Sequence, residues 1–289
     1  MSFRAAPHPL LVPPGDPFPI ATAATKSPSG GKSKDWKDKL ESERKKLGDF
    51  QHKLYAHNRY AVLVIFQALD AAGKDGTIRH VFSGVNPTGL HVVSFKRPSV
   101  LELEHDFLWR TSKELPERGH IAVFNRSYYE EVLVVRVHPE LLAAQQLPEP
   151  LPDTIWPDRL RGIRDHELHL ASQGTVILKF WLNVSRDEQR RRFLERLSEP
   201  HKHWKFSTQD IDERGYWDAY MAAYEECLAA TSEPWAPWYA IPADDKPYMR
   251  WQVATLINAA LEQLPIDFPH PSEAELQRFV AAADRLKGL

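Results

Sequence analysis

Five short apolar runs, separated by helical patterns, constrain this chain more than any other feature. They are Tyr60-Ala-Val-Leu-Val-Ile-Phe66, His91–Phe95, His120–Phe124, Thr175–Leu182 and Trp238–Ile241. Each is continuously apolar rather than alternating, as expected of a strand covered on both faces, and such strands build parallel sheets. Helical patterns fall between them at Thr77–Ser83, Val100–Glu114, Tyr128–Arg136, Trp156–Gln173 and Asp187–Leu197, with Lys246–Leu264 after the last. The alternation predicts a doubly wound three-layer α/β/α fold with a mainly parallel five-stranded sheet.

The flanks differ in character. Trp36, Leu40, Leu47, Phe50 and Leu54 recur at helical intervals and predict an amphipathic helix ending near Asn58. Residues 1–33 hold seven of the 23 prolines, and read either as a mobile tail or as an arm lying on the surface. Residues 198–230 resemble an inserted helical excursion, and 265–289 form a C-terminal extension. A 43% hydrophobic composition with a net charge of −2 predicts a folded core and argues against a nucleic-acid-coating role. The longest unbroken apolar stretch, Ala61–Phe66, is far too short to span a membrane. Pro7, Pro9, Pro13 and Pro14 interrupt anything resembling a signal peptide. Cys227 is the single cysteine, which excludes an intrachain disulfide and suits a reducing compartment, the cytoplasm.

After the first strand comes Ala68-Leu-Asp-Ala-Ala-Gly-Lys-Asp-Gly-Thr77, leading directly into a helix. A strand, a Gly-Lys turn and a helix N-terminus is the layout in which backbone amides cradle phosphate. Lys74 adds a point charge for phosphoryl oxygens. The pattern departs from the usual phosphate loop: Ala68 replaces the first glycine, Asp75 replaces the hydroxyl residue, and Asp70 places a carboxylate inside the turn. Carboxylates flanking one lysine suggest that metal ions are organised here as well as phosphates.

The third strand ends in Phe124-Asn-Arg-Ser-Tyr-Tyr-Glu-Glu131. Ligands in open α/β sheets gather at such strand ends. Asn125 stands where a metal-holding aspartate is usual. Arg126 points to the same crevice or is a structural arginine paired to Glu130 or Glu131. From Arg186 to Lys205, seven Lys/Arg face four Asp/Glu. Arg192 and Arg196, four apart, share a helix face. Two readings stand: a solvated face, or an arginine-bearing lid over a transferring phosphoryl group. The pairs His166/His169 and His201/His203 lack partners at zinc spacing.

The chain resembles the polyphosphate kinase type 2 family across Lys34 to Leu264. The motifs are Asp70-Ala-Ala-Gly-Lys-Asp-Gly-Thr77, Asn86-Pro-Thr-Gly89, Ser94-Phe-Lys-Arg-Pro98, Phe107-Leu-Trp-Arg110, Phe124-Asn-Arg-Ser-Tyr-Tyr-Glu130 and Val135-Arg-Val-His138. Trp204-Lys-Phe-Ser207 with Asp210, Ala236-Pro-Trp238, and Ile241-Pro-Ala-Asp244 with Lys246 follow in order. The resemblance implies a P-loop kinase-like fold with a helical lid over about 186–230. It also implies reversible phosphoryl transfer from inorganic polyphosphate to AMP and ADP, with guanine nucleotides as further candidates. It implies Mg²⁺, replaceable by Mn²⁺, and a dimer or tetramer without nucleic-acid or membrane partners. By resemblance, Asp70 organises magnesium, Lys74 binds phosphate, Asn125 sits beside the transferred group and Arg126 binds it. Ala71, Ala72, Gly73, Asp75, Gly76, Thr77 and Glu130 would complete the phosphate and nucleotide contacts. Arg136, Arg192, Arg196 and Lys205 would belong to the polyphosphate channel and lid. Asn125 followed by Tyr128-Tyr-Glu130 is similar to the class III branch, which accepts both mono- and diphosphates. The rival readings are an ATP-dependent nucleoside monophosphate kinase and a catalytically dead polyphosphate- or nucleotide-binding module.

Overall fold

The computed structural model describes residues 3–28 and 31–288, with all their side chains except those of Lys202 and Lys205. A long helix α1 (Ser33–His57) precedes β1 (Ala61–Gln67), α2 (Lys74–Val81) and β2 (Leu90–Ser94). Two short helices, α3 (Val100–Leu103) and α4 (Trp109–Ser112), lead to β3 (Ile121–Asn125). Then come α5 (Val134–Val137), α6 (Ile155–Ser172), β4 (Thr175–Asn183), α7 (Arg186–Ser198), α8 (Gln209–Glu213) and α9 (Trp217–Thr231). The chain closes with β5 (Trp238–Pro242), α10 (Lys246–Leu261) and α11 (Glu273–Lys287).

All four strand pairings are parallel, in the order β2-β3-β1-β4-β5. Every residue of the central strand β1 is buried. Side chains alternate across a strand, so its continuous apolar run feeds two cores. Val62, Val64 and Phe66 pack with Leu47 and Leu54 of α1 and Val253 and Ile257 of α10. Leu63 and Ile65 pack on the opposite face with Ile163 of α6, Tyr224 and Leu228 of α9, and Trp238. The expected three layers are therefore present.

Local departures have local causes. The stretch predicted as one helix over Val100–Glu114 is broken between α3 and α4, where the Asp106 carboxylate accepts from the Leu108 amide at 3.0 Å. Such side-chain to backbone bonds compete with helix. Tyr128–Arg136 begins as a 3-10 turn over Tyr128–Val132 and becomes α-helical only in α5. In the C-terminal extension, α11 opens on a capping box in which Ser272 and Glu275 satisfy each other's backbone amides.

The proline-rich segment is an arm on the surface. The Val12 amide donates to the Trp238 carbonyl (2.9 Å) and the Ala240 amide to the Leu10 carbonyl (2.8 Å), an antiparallel pairing on the free edge of β5. Covering an edge strand blocks pairing with another chain. Further along, the Asn183 side chain donates to the Ala23 and Ala24 carbonyls, and the Asp244 amide to that of Thr25. The arm thereby reaches the carboxyl ends of β4 and β5.

Candidate active site

The turn after β1 bends through two left-handed residues, Ala71 (φ 61°) and Gly73 (φ 110°). At the end of β3, Arg126 also has a positive φ, 66°. Ala71 and Arg126 are non-glycine residues in a costly backbone region, and such strain persists where the surroundings over-determine it. At Gly73 the left-handed backbone is what favours glycine, and a Cβ there would come within 3.3 Å of the Met249 methyl.

Lys74, the first residue of α2, folds back into the turn, and its ammonium donates to the Ala68 (2.7 Å) and Leu69 (3.4 Å) carbonyls. It is buried. Burial, reinforced by repulsion from Arg126, lowers its pKa to about 8. Thr77 donates its hydroxyl to the Gly73 carbonyl at 3.0 Å, closing the first turn of α2.

Arg126 resolves both sequence-level alternatives at once. One arm of its guanidinium pairs with Glu130 (2.7 Å) and the other with Asp70 (2.8 Å), so a structural ion pair aims the arginine at the turn. These carboxylates raise its already high pKa, Glu130 more than Asp70, with burial opposing them. Glu130 is itself held by the Gln67 amide at 2.8 Å, which ties the group to the end of β1. Asn125 Nδ2 donates to Asp75 at 2.6 Å, while Asn125 Oδ1 is buried without a hydrogen-bond partner. A carboxylate only accepts, so Asp75 dictates which end of the amide faces it.

The remaining predicted residues divide. Arg192 does not face a channel. It is buried behind the turn and donates to the Ala71 (3.1 Å), Ala72 (2.7 Å) and Ala243 (2.5 Å) carbonyls while pairing with Glu188. The turn's sharp bend directs the Ala71 and Ala72 carbonyls backward, and a forked cation on α7 satisfies them together with Ala243, which follows β5. Arg196, one turn further, is only part-buried, stacks over Phe193 and pairs with Asp210 at 3.7 Å. Arg136 pairs with Glu226 of α9 (2.5 Å) and lies against Trp156. The Lys205 side chain lies outside those described.

Sequence reasoning named Asp210 only as part of a motif, yet it lines the same cleft as Asp70, Arg126 and Glu130. Burial and, after it, the Asp70 charge raise its pKa. Gln189 of α7 donates to the Asp70 carbonyl at 2.9 Å and accepts from Arg214, linking α7 to the turn. The far wall of the cleft is Leu133, Val134, Trp217 and Tyr220. Only the aromatic character of residues 216–224 could have signalled this wall. Beneath lies a fully buried cluster: Tyr128 and Tyr129 both donate to Glu167 (2.8 and 2.9 Å), which pairs with Lys179 at 2.5 Å. Burial pushes Glu167 up and Lys179 down, and the hydrogen bonds hold the pair together. The tyrosines of the Arg126 motif are thus its foundation.

Among the described residues no three His, Cys, Asp or Glu side chains gather as a metal cage. An all-oxygen set of Asp70, Asp75 and the orphaned Asn125 Oδ1 fits a hard cation that keeps waters and takes further ligands from substrate phosphates, as magnesium does. It does not fit zinc.

A parallel sheet with a Gly-Lys turn at its central strand, ringed by an arginine and carboxylates, defines a P-loop kinase-like phosphate-handling protein. The comparisons narrow this. The family model described as polyphosphate kinase 2 matches residues 31–269, and the chain belongs to that family. An ADP-polyphosphate phosphotransferase of Rhodopseudomonas palustris is 54% identical over 86% of each chain. An AMP/ADP-polyphosphate phosphotransferase of Meiothermus ruber is 46% identical over 80% of this chain and 82% of its own. The crystal structure of polyphosphate kinase 2 from Arthrobacter aurescens superposes with a TM-score of 0.86 at 37% identity, covering 98% of this chain and 99% of the other. Most of the N-terminal arm and all of α11 fall outside the family model.

Proposed function

We propose that the protein transfers phosphoryl groups reversibly from inorganic polyphosphate to AMP and ADP, in the manner of the class III branch. The carrying observation is the convergence of Lys74, Arg126 and Asp70 on one turn, in a chain so similar to relatives named for this transfer. Phosphoryl transfer passes through a loose transition state, so positioning and charge neutralisation do most of the work. Lys74 and Arg126 bind the equatorial oxygens, and Asn125 stands beside the group in transit. The attacking oxygen of a nucleotide phosphate is already anionic, which removes the need for a strong general base. Magnesium, or manganese in its place, would be held by Asp70 with Asp75 and Asn125, and when bound would neutralise phosphate charge. Trp217 and Tyr220, which wall the cleft beside Asp70 and Arg126, would supply aromatic contacts to a nucleoside, adenine or guanine, once the cleft widens to admit it. Assembly as a dimer or tetramer and a cytoplasmic location belong to the same reading; the lone buried Cys227 suits a reducing compartment.

The test is a matrix of polyphosphate or ATP as donor against AMP, ADP, GMP and GDP as acceptors, with magnesium. ATP should form from ADP and polyphosphate, and ADP from AMP. Asp70→Asn and Lys74→Ala should each cut turnover by orders of magnitude with the fold intact. No product from either adenine nucleotide with polyphosphate would refute the proposal.

A further inference from the structure

Polyphosphate carries roughly one charge per phosphate, so a donor longer than the turn must lie on further cations. Of the cations that the resemblance assigns to the channel and lid, Arg192 is committed to backbone carbonyls, and Arg136 and Arg196 are paired with Glu226 and Asp210. The aromatic cleft lies on the α5–α9 face of the sheet. On the opposite face, α10 packs against α2, and an uncompensated group of cations collects there.

Arg250 of α10 brings a terminal guanidinium nitrogen within 3.5 Å of where a side chain at Gly76 would begin, beside the first turn of α2. Its Nε is buried and makes no hydrogen bond. Arg79, on α2 and exposed, is close enough to lower the proton affinity of Arg250 and of His80. Burial lowers the proton affinity of Lys246, at the start of α10, with Arg192 and Arg191 adding to the effect and Glu195 and Glu188 opposing it. Among the described residues none of Arg79, Lys246 and Arg250 makes a side-chain hydrogen bond or ion pair. The carboxylates nearest Lys246, Glu188 and Glu195, are already engaged by Arg191 and, for Glu188, Arg192. Asp75 is engaged by Asn125. Half-buried like charges repel one another and lose hydration, a cost that a polyanion reverses.

We infer that Arg79, Arg250 and Lys246 form a track that carries the polyphosphate chain away from the turn along the α2–α10 face, opposite the nucleoside cleft. This rests on polyphosphate being the donor, and it gives the protein a preference for long chains that the turn alone does not. A nucleotide phosphate shares the chemistry but not the geometry, since the cleft holds its nucleoside on the other face.

The experiment compares Arg79→Gln/Arg250→Gln with the native protein, using long-chain polyphosphate and tripolyphosphate as donors at saturating ADP. The ratio of KM for the long chain to KM for tripolyphosphate should rise about tenfold, the loss expected for charge-assisted contacts. Arg79→Lys/Arg250→Lys should restore much of it, and KM for ADP should stay near native. An unchanged ratio would overturn the track, and a rise in KM for ADP alone would assign the cations to the nucleotide. Should the double variant fail to fold by its melting curve, Lys246→Gln is read by the same ratio. If the native protein makes no ATP from either donor, the functional proposal fails instead. Equilibrium binding of the two phosphates to native and variant protein then still decides the track.

Discussion

Raising the pH through 8 should weaken polyphosphate binding, because the buried ammonium of Lys74 loses its proton far below the usual lysine range. Burial lowers its pKa from 10.5 to about 8, and Arg126 adds to the effect. An anion placed on the turn favours the charged form and pulls the value back up. Binding must then take up a proton wherever the free lysine is deprotonated. With a free value of about 8, the lysine is about one quarter protonated at about pH 8.5, so binding should take up about 0.75 proton. At about pH 9 only about one lysine in eleven is charged, and affinity should be about tenfold weaker than at about pH 7.

Calorimetric titration with polyphosphate, at constant magnesium and without nucleotide, measures the uptake directly. The observed heat varies with buffer ionisation enthalpy in proportion to protons exchanged. Lys74→Met is the control, because it needs no turnover to be informative and should abolish the uptake. No uptake in the native protein at about pH 8.5, or an undiminished uptake in Lys74→Met, would refute the reasoning. The same displacement acts on the fold. The unfolded chain keeps this proton longer, so the ligand-free protein should gain stability from this group as the pH climbs from about 8 toward 10.5.

Other perturbations separate the arginines and the supports. Arg192→Met leaves buried carbonyls at Ala71, Ala72 and Ala243 without a donor and should cost about 2–4 kcal/mol by urea denaturation, whereas Arg196→Ala should cost under about 1 kcal/mol. Equal losses would mean that Arg192 does not hold the turn. Lys179→Met strands the Glu167 carboxylate and should cost about 3–5 kcal/mol, while Lys179→Met/Glu167→Gln, which removes the charge but keeps an acceptor for the Tyr128 and Tyr129 hydroxyls, should recover part of it. A double variant as unstable as the single one would remove the buried charge as the cause. Deleting residues 1–27 removes the buried side chains of Phe3, Val12 and Ile20, worth about 5–9 kcal/mol together, and bares the edge of β5. Melting temperature should fall and light scattering rise; neither changing would show the arm to be dispensable.

Much of the architecture was legible because it depends on composition along short windows. The run Tyr60–Phe66 identifies a doubly covered strand whatever surrounds it, and the Gly-Lys turn after it marks where phosphate can bind. The same window logic gave way where long-range contacts decide. Prolines in the arm say that it is not a helix, but only the free edge of β5 determines that it pairs there. The heptad-like spacing of Leu276, Phe279, Val280 and Leu286, behind a Ser272–Glu275 capping box, could have identified α11. The extension lies beyond the motifs that carry the resemblance.

Arginine roles were the least legible, for a physical reason. A guanidinium is equally suited to a carboxylate, a phosphate or a set of backbone carbonyls, so residue type cannot separate these uses. Arg126 and Arg192 are both within the expected neighbourhood of the turn, on opposite sides of it. Arg126 reaches forward because a left-handed backbone at the end of β3 turns it there and Glu130, four residues on, steadies it. Arg192 reaches backward because the bend at Ala71 and Gly73 points carbonyls at α7. One strained turn therefore needs both: a cation behind it to hold its shape, and a cation before it to meet phosphate. A charge count along α7 registers only that cations are present, and the direction each faces is set by the path of the turn.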